Sequence, residues 1–270
     1  MMRCFNVQES VEKEVVPFGN GSIVYTPKKW IGRRVTVVLQ QQPFDVRSET
    51  MEMLKPHLGS VEGAFLFGSF ARNEQTEESD VDVLVISSRS IAVKKTGRMD
   101  IVAKTREEFL EGLKRDRTLF LHQVLGEAKP ILNKSLLEEL RKKTGRPDYN
   151  GLLEDTIGAF KNVQDLLGAS KKQGLEYLDS NTIVYSLILR IRGLLTAQSL
   201  AKKRLYSNRM LESCLKARGF SWKAIKGLEA IYRAEREGKK TGSKVRLGEA
   251  ERLFEAAKME FVKTEAVVKA

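Results

Sequence analysis

The stretch GSFARNEQTEESDVDVLV, residues Gly68–Val85, decides how the chain is read. It follows Val61–Phe67, an apolar run broken only by Glu62 and Gly63, which has the pattern of a buried strand. Gly68 and Ser69 then stand at a turn, where glycine permits close backbone approach and serine offers a hydroxyl and an N–H near a helix start. Val81–Ile86 reads as the next strand, with Asp80 and Asp82 at its beginning. Residues i and i+2 of a strand face the same side, about 7 Å apart along the backbone, so the two carboxylates project together. Bare carboxylates that close repel, and a divalent cation removes that cost.

A third acid extends the pattern. Asp100 lies alone among apolar neighbours in Met99–Ala103, which reads as a third strand. A carboxylate in a strand otherwise fit for burial needs a partner, and a metal shared with Asp80 and Asp82 is an economical one. Three carboxylates can hold two divalent ions, which would stabilise the attacking and leaving oxygens of an in-line displacement.

G-S, ten intervening residues, D-x-D and a third acid one strand later resemble the signature of the minimal nucleotidyltransferases (MNT). These belong to the DNA polymerase β-like superfamily, together with kanamycin nucleotidyltransferase. The resemblance covers roughly residues 60–134. It implies that Gly68 and Ser69 hold the nucleotide phosphates and that Asp80 and Asp82 bind Mg²⁺. Asp100 would join them at the metal and assist deprotonation of an acceptor hydroxyl, and Arg72 would touch the triphosphate or lie on the surface. The cofactors implied are two Mg²⁺ ions and an NTP, with ATP as the default. The acceptor would be a small molecule or a protein, and pyrophosphate the second product.

Around this centre the chain divides into three expected modules, 1–46, 47–134 and 135–270. The fold class expected is α+β: a short β module, a small mixed sheet with helices, and an all-α bundle. In the first module, Gly19-Asn20-Gly21 marks a turn, Ile23–Tyr25 a short strand ending at Pro27, Lys28–Ile31 a helical or turn piece, and Val35–Leu39 a second strand. So small a β unit buries little surface alone, which favours pairing with a second copy. Its order resembles the swapped-hairpin AbrB/MazE family. That likeness implies a homodimer through residues 1–46, either with DNA contacts from Lys28, Lys29, Arg33 and Arg34 or with dimerisation only.

The middle module alternates strand and helix patterns, with helices at Val46–His57, Glu107–Leu113 and Thr118–Leu125 and a last strand at Ala128–Leu132. The third module has five helical patterns. The first carries Leu152, Leu153, Ile157, Phe160, Val163, Leu166 and Leu167 at helical spacing behind a cap at Asn150. The segment YSLILRIRGLLTAQSLAKKRLYS resembles the second helix of HEPN domains. No histidine follows Arg190 or Arg192, as the HEPN ribonuclease motif would require. Those arginines are expected either at a substrate cleft or in an interhelical ion pair. His57 and His122 read as ordinary helix residues.

The net charge of +12 sits mostly in residues 135–270, which hold 27 basic against 17 acidic residues. A polyanionic partner or a solvated lysine-rich surface would each account for that. Two cysteines and two histidines are too few for a thiolate or imidazole metal cluster. No apolar run approaches the roughly 18 residues of a membrane span, and the N-terminus lacks a signal-peptide core. A reduced, cytoplasmic protein is expected. The leading expectation is NMP transfer from an NTP to a hydroxyl. The other is a dimeric DNA-binding regulator or antitoxin-like module that uses the same fold as a nucleotide sensor.

Overall fold

The computed structural model describes residues 9–11, 13–37, 44–77 and 79–269. The chain forms two compact units, Met1–Phe44 and Asp45–Ala270.

In the first unit, β1 (Val16–Phe18) and β2 (Gly21–Ile23) make an antiparallel hairpin, closed by Gly19 at φ +55°. The second strand thus begins two residues earlier than Ile23–Tyr25 would suggest, because the tight turn lets Gly21 pair directly with Phe18. Pro27 starts a 3-10 turn at Lys28–Trp30, where Glu9 accepts from both Lys29 and Trp30. The strand expected at Val35–Leu39 is absent at residues 35–37, and 38–39 lie outside the described residues. None of the described residues of this unit is buried.

The second unit opens with α1 (Val46–Leu54), capped by Asp45, and a 3-10 turn at Lys55–His57. Then come β3 (Val61–Phe67), α2 (Gly68–Ala71), β4 (Val81–Ser87) and β5 (Met99–Thr105). After them follow α3 (Arg106–Lys114), α4 (Phe120–Glu127), β6 (Lys129–Leu132) and α5 (Lys134–Lys143). The sheet order is β5-β4-β3-β6, parallel between β4 and β5 and antiparallel elsewhere.

Strand alternation sorts the side chains onto two faces. Val81, Val83 and Val85 pack with Leu54 on one face; Leu84 and Ile86 pack with Phe109, Val124 and Leu137 on the other. Leu136, Leu137 and Leu140 of α5 complete that second layer. The sheet's covering helices therefore run past residue 134 to 143.

The remaining helices are α6 (Tyr149–Lys172), α7 (Thr182–Ala201), α8 (Asn208–Lys216), α9 (Trp222–Arg236) and α10 (Leu247–Lys269). Asp148, not Asn150, caps α6 by accepting from the Gly151 N–H. The α7 helix is long and apolar enough to cross a membrane by length and composition. It is also the bundle's central helix: Val184, Leu187, Ile188, Ile191 and Leu194 are fully buried against its neighbours. On α6 the apolar stripe is wider than the surface it buries, and Ile157 and Leu166 stay exposed at 57% and 51%. Truncating Ile188 to alanine should therefore cost about 2–5 kcal/mol in urea denaturation, through lost transfer energy and a cavity. Leu166→Ala should stay within about 0.5 kcal/mol of the parent.

Candidate active site

The site is built where β3 ends and β4 begins. Phe67 pairs with Asp82 across the antiparallel strands, and Asp82 pairs with Asp100 across the parallel ones. By alternation Asp80, Asp82 and Asp100 share the face of Leu84 and Val102. Gly68 turns the chain out of β3 with φ +72°, and a Cβ there would lie 2.1 Å from Asp82 Oδ2. Only glycine satisfies both the backbone angle and the space. Ser69 follows, half-buried, and its hydroxyl makes no hydrogen bond among the described residues.

Three carboxylates crowd this lip. Burial pushes the Asp82 carboxyl up to about 6, helped by the charges of Asp100 and Asp80 and opposed by those of Arg236 and Arg72. Lys95, in the loop before β5, supplies a counter-charge. Its ammonium donates to Asp80 Oδ2 at 3.0 Å and stands 3.7 Å from Asp100 Oδ2. Among the described residues no three acids, histidines or cysteines close into a ready-made metal cage. The donor set is nevertheless all hard oxygen. Mg²⁺ is commonly held by one or two carboxylates, with water and substrate phosphate completing its shell. The three acids fit that open kind of site.

The turn is fixed from below by Glu127, at the end of α4, which is almost wholly buried. Its Oε1 accepts the Gly68 N–H at 2.7 Å, so that amide is engaged within the turn. Arg72 donates from Nη1 to both Glu127 oxygens, at 2.8 and 2.7 Å, and from Nε to Glu74 at 2.9 Å. With only 9% of its side chain exposed, Arg72 lies neither on the surface nor free toward the site. Glu74 in turn accepts the Asn208 N–H at 3.0 Å, which ties the turn to the start of α8.

Arg192 belongs to the neighbouring part of the bundle. It donates to Asn208 Oδ1 at 3.2 Å and lies 5.3 Å from the ring centres of both Tyr206 and Tyr232. It has no carboxylate partner among the described residues, contrary to the ion-pair alternative. Arg190 likewise makes no ion pair there, and its buried Nε lacks a hydrogen-bond partner. Lys28, Lys29, Arg33 and Arg34 belong to the first unit; Lys28, Arg33 and Arg34 are exposed, while Lys29 pairs with Glu9. His57 ends a 3-10 turn, whereas His122 is buried against Asp116. Lys95, Glu127, Glu74 and Arg236 were not picked out from the sequence. A lysine pair just ahead of the Asp100 strand was the one local hint, for Lys95.

Two outcomes follow from this geometry. Gly68→Ala should displace the Asp82 carboxylate and lower the melting temperature, which thermal denaturation of the two proteins would measure. The folded Asp82 carboxyl keeps its proton up to about 6, whereas the ordinary value is 3.8. The folded state then binds more protons between those values, so stability falls as pH rises through them. In metal-free buffer, Asp82→Asn should melt a few degrees above the parent at pH 7.5, and the gap should close as pH approaches 4.

Residues 49–136 match the family model described as Polymerase beta, Nucleotidyltransferase. No curated protein matches the chain significantly. Among solved structures, spectinomycin adenyltransferase AAD(9) from Enterococcus faecialis is similar over 81% of this chain and 97% of its own, at 14% identity and TM-score 0.42. A nucleotidyltransferase-like protein from Exiguobacterium sibiricum 255-15 is similar over 83% of this chain and 75% of its own, at 14% identity and TM-score 0.34. The glycine turn and the three aspartates thus lie within the stretch that is similar to nucleotidyltransferases of the polymerase beta kind.

Proposed function

We propose that the protein is a divalent-metal-dependent nucleotidyltransferase that moves an NMP from an NTP, with ATP as the reference substrate, onto a hydroxyl and releases pyrophosphate. The observation that carries this reading is the convergence of Asp80, Asp82 and Asp100 on one sheet edge beneath a turn only Gly68 can make. In this reading Asp80 and Asp82 hold Mg²⁺, with Asp100 beside them. The metal supplies charge neutralisation to the triphosphate.

The chain's own groups do the rest. Ser69 offers a hydroxyl to a phosphate oxygen. Asp100, 45% exposed and beside Asp82, takes the proton of the acceptor hydroxyl. Lys95, held at Asp80 and near Asp100, would offer its ammonium to the leaving pyrophosphate. Glu127 and Arg72 keep the turn in place and do not touch the nucleotide. Arg192, a cation without a carboxylate partner among the described residues, faces the substrate side of the bundle, while Arg190, two residues earlier on α7, stands on a different face of that helix. The chain also pairs with a second copy through residues 1–46, a reading supported by the exposure of Phe18, Tyr25 and Ile31 in a unit without a buried described residue.

The test is turnover of the four α-labelled NTPs with Mg²⁺, with and without cell extract as a source of acceptor. One NTP should be consumed, releasing pyrophosphate and leaving label on a hydroxyl-bearing acceptor. Asp80→Asn combined with Asp82→Asn should lower the rate on the order of 100-fold or more, as loss of transition-state charge stabilisation does elsewhere. Unchanged turnover in that variant would overturn the reading.

A further inference from the structure

The loop that joins α7 to α8 carries the sequence KKRLYSNR, residues 202–209, and none of its cations has a place in the transfer reaction. Lys202, Lys203, Arg204 and Arg209 are all exposed, without a carboxylate partner among the described residues. Lys129 of β6 joins them from the sheet side. It is exposed as well, and its ammonium meets Asn73 Oδ1 at 3.5 Å, again with no carboxylate.

Two contacts bring the loop and that strand to one rim. Leu205 lies against Gly126, in the helix just before Lys129, and a Cβ on that glycine would stand 3.5 Å from Leu205 Cδ2. Asn208 donates its backbone N–H at 3.0 Å to Glu74, the residue after Asn73. Glu74 and Glu127 are already paired with Arg72, Glu138 with Arg141 and Glu212 with Lys226. Glu77, exposed in the loop after Asn73, is a single negative charge against these five positive ones.

Helix stability accounts for part of the pattern. Lys202, Lys203 and Arg204 follow the C-terminus of α7, where cations offset the partial negative charge of the last carbonyls. Lys203, however, takes φ +52° just past the helix, where glycine is the inexpensive choice. Arg209 stands in the first turn of α8, beside partial positive charge, where an arginine is unfavourable. Like charges so close also repel one another. A cluster assembled against these costs fits a polyanion. Leu205, 53% exposed in its middle, adds an apolar surface that a purely ionic partner would leave uncovered.

We propose that this rim binds single-stranded nucleic acid, with the four loop cations and Lys129 on its phosphates and an unpaired base over Leu205. A duplex keeps its bases from such a leucine, and a membrane surface would take more than one apolar side chain. The surface stands independently of the transfer reaction assigned to the aspartates.

Fluorescence anisotropy of labelled oligo-U and oligo-dT, each ~15 nucleotides long, with the full chain tests this. At least one should bind saturably at ~50 mM salt. Neutralising four or five phosphates should give a slope of about −3 in log affinity against log salt, or roughly 60-fold weaker binding at ~200 mM. A duplex of the same length should bind about threefold more weakly or worse. Lys202→Gln, Lys203→Gln, Arg204→Gln and Arg209→Gln combined alter only exposed side chains; they should weaken binding about tenfold or more and flatten the slope by about 2–3. Lys161→Gln, Lys172→Gln, Lys240→Gln and Lys244→Gln combined remove the same charge from exposed positions elsewhere on the bundle, and should change the affinity less than about threefold. The proposal fails if neither strand binds, if the duplex binds as tightly, or if the two quadruple variants behave alike. It fails equally if anionic phospholipid vesicles bind the chain more tightly than either strand.

Discussion

The carboxylate of Asp82 occupies the space a side chain on Gly68 would fill, and the rest of the site is arranged around that contact. The turn out of β3 must pass directly over an acid at the start of β4, which forces a positive φ and forbids a Cβ. It also removes part of the acid's hydration. Two further acids stand nearby, on the same sheet edge, so the fold places like charges where water can least screen them. Lys95 relieves part of that repulsion from the solvent side, and Arg236, at the end of α9, from the bundle side. An arrangement that is poor for the stability of the bare protein is well suited to attracting a cation. The two properties have one cause.

The turn is held against that repulsion by a buried chain of charge-assisted hydrogen bonds. Glu127 receives the Gly68 amide and Arg72, Arg72 also reaches Glu74, and Glu74 receives the first amide of α8. Two carboxylates share one guanidinium, which would be expensive to bury unless the second negative charge found another donor. The N-terminus of α8 provides it, since exposed amides there carry partial positive charge. The turn beside the sheet and the bundle thus meet through this contact.

What could be read in the sequence was whatever depends on local pattern. The strand bounded by Val61 and Phe67 and the acids at the mouth of the next strand were legible because apolar runs, a glycine turn and i, i+2 spacing are contained in short windows. The five helices of the bundle were legible for the same reason. Glu127 was not, because it is one glutamate in a helix 59 residues from the amide it holds, and nothing near it marks it as buried. Arg72 was placed near the turn, but its role changed once its partner, 55 residues away, was known. At residues 35–37, part of the strand expected over Val35–Leu39, the reverse error shows. Residues 35–37 have the composition of a strand, yet β-branched residues form one only where another strand is present to pair with them.

The bundle's charge can now be divided by what each cation touches. Many of its lysines pair with a nearby glutamate on a solvated surface, as Lys226 does with Glu229 and Lys258 with Glu255, and such pairs are worth little and direct nothing. Arg192 is different. It lies near two tyrosine rings and an asparagine, partners that orient a guanidinium without cancelling its charge. A lysine could not donate in the same fixed plane. Its neighbour Asn208 also donates its backbone N–H to Glu74, so this uncancelled charge is anchored to the same network that fixes the glycine turn. The +10 carried by residues 135–270 is thus partly cancelled by such surface pairs, whereas Arg192 keeps its charge among the described residues.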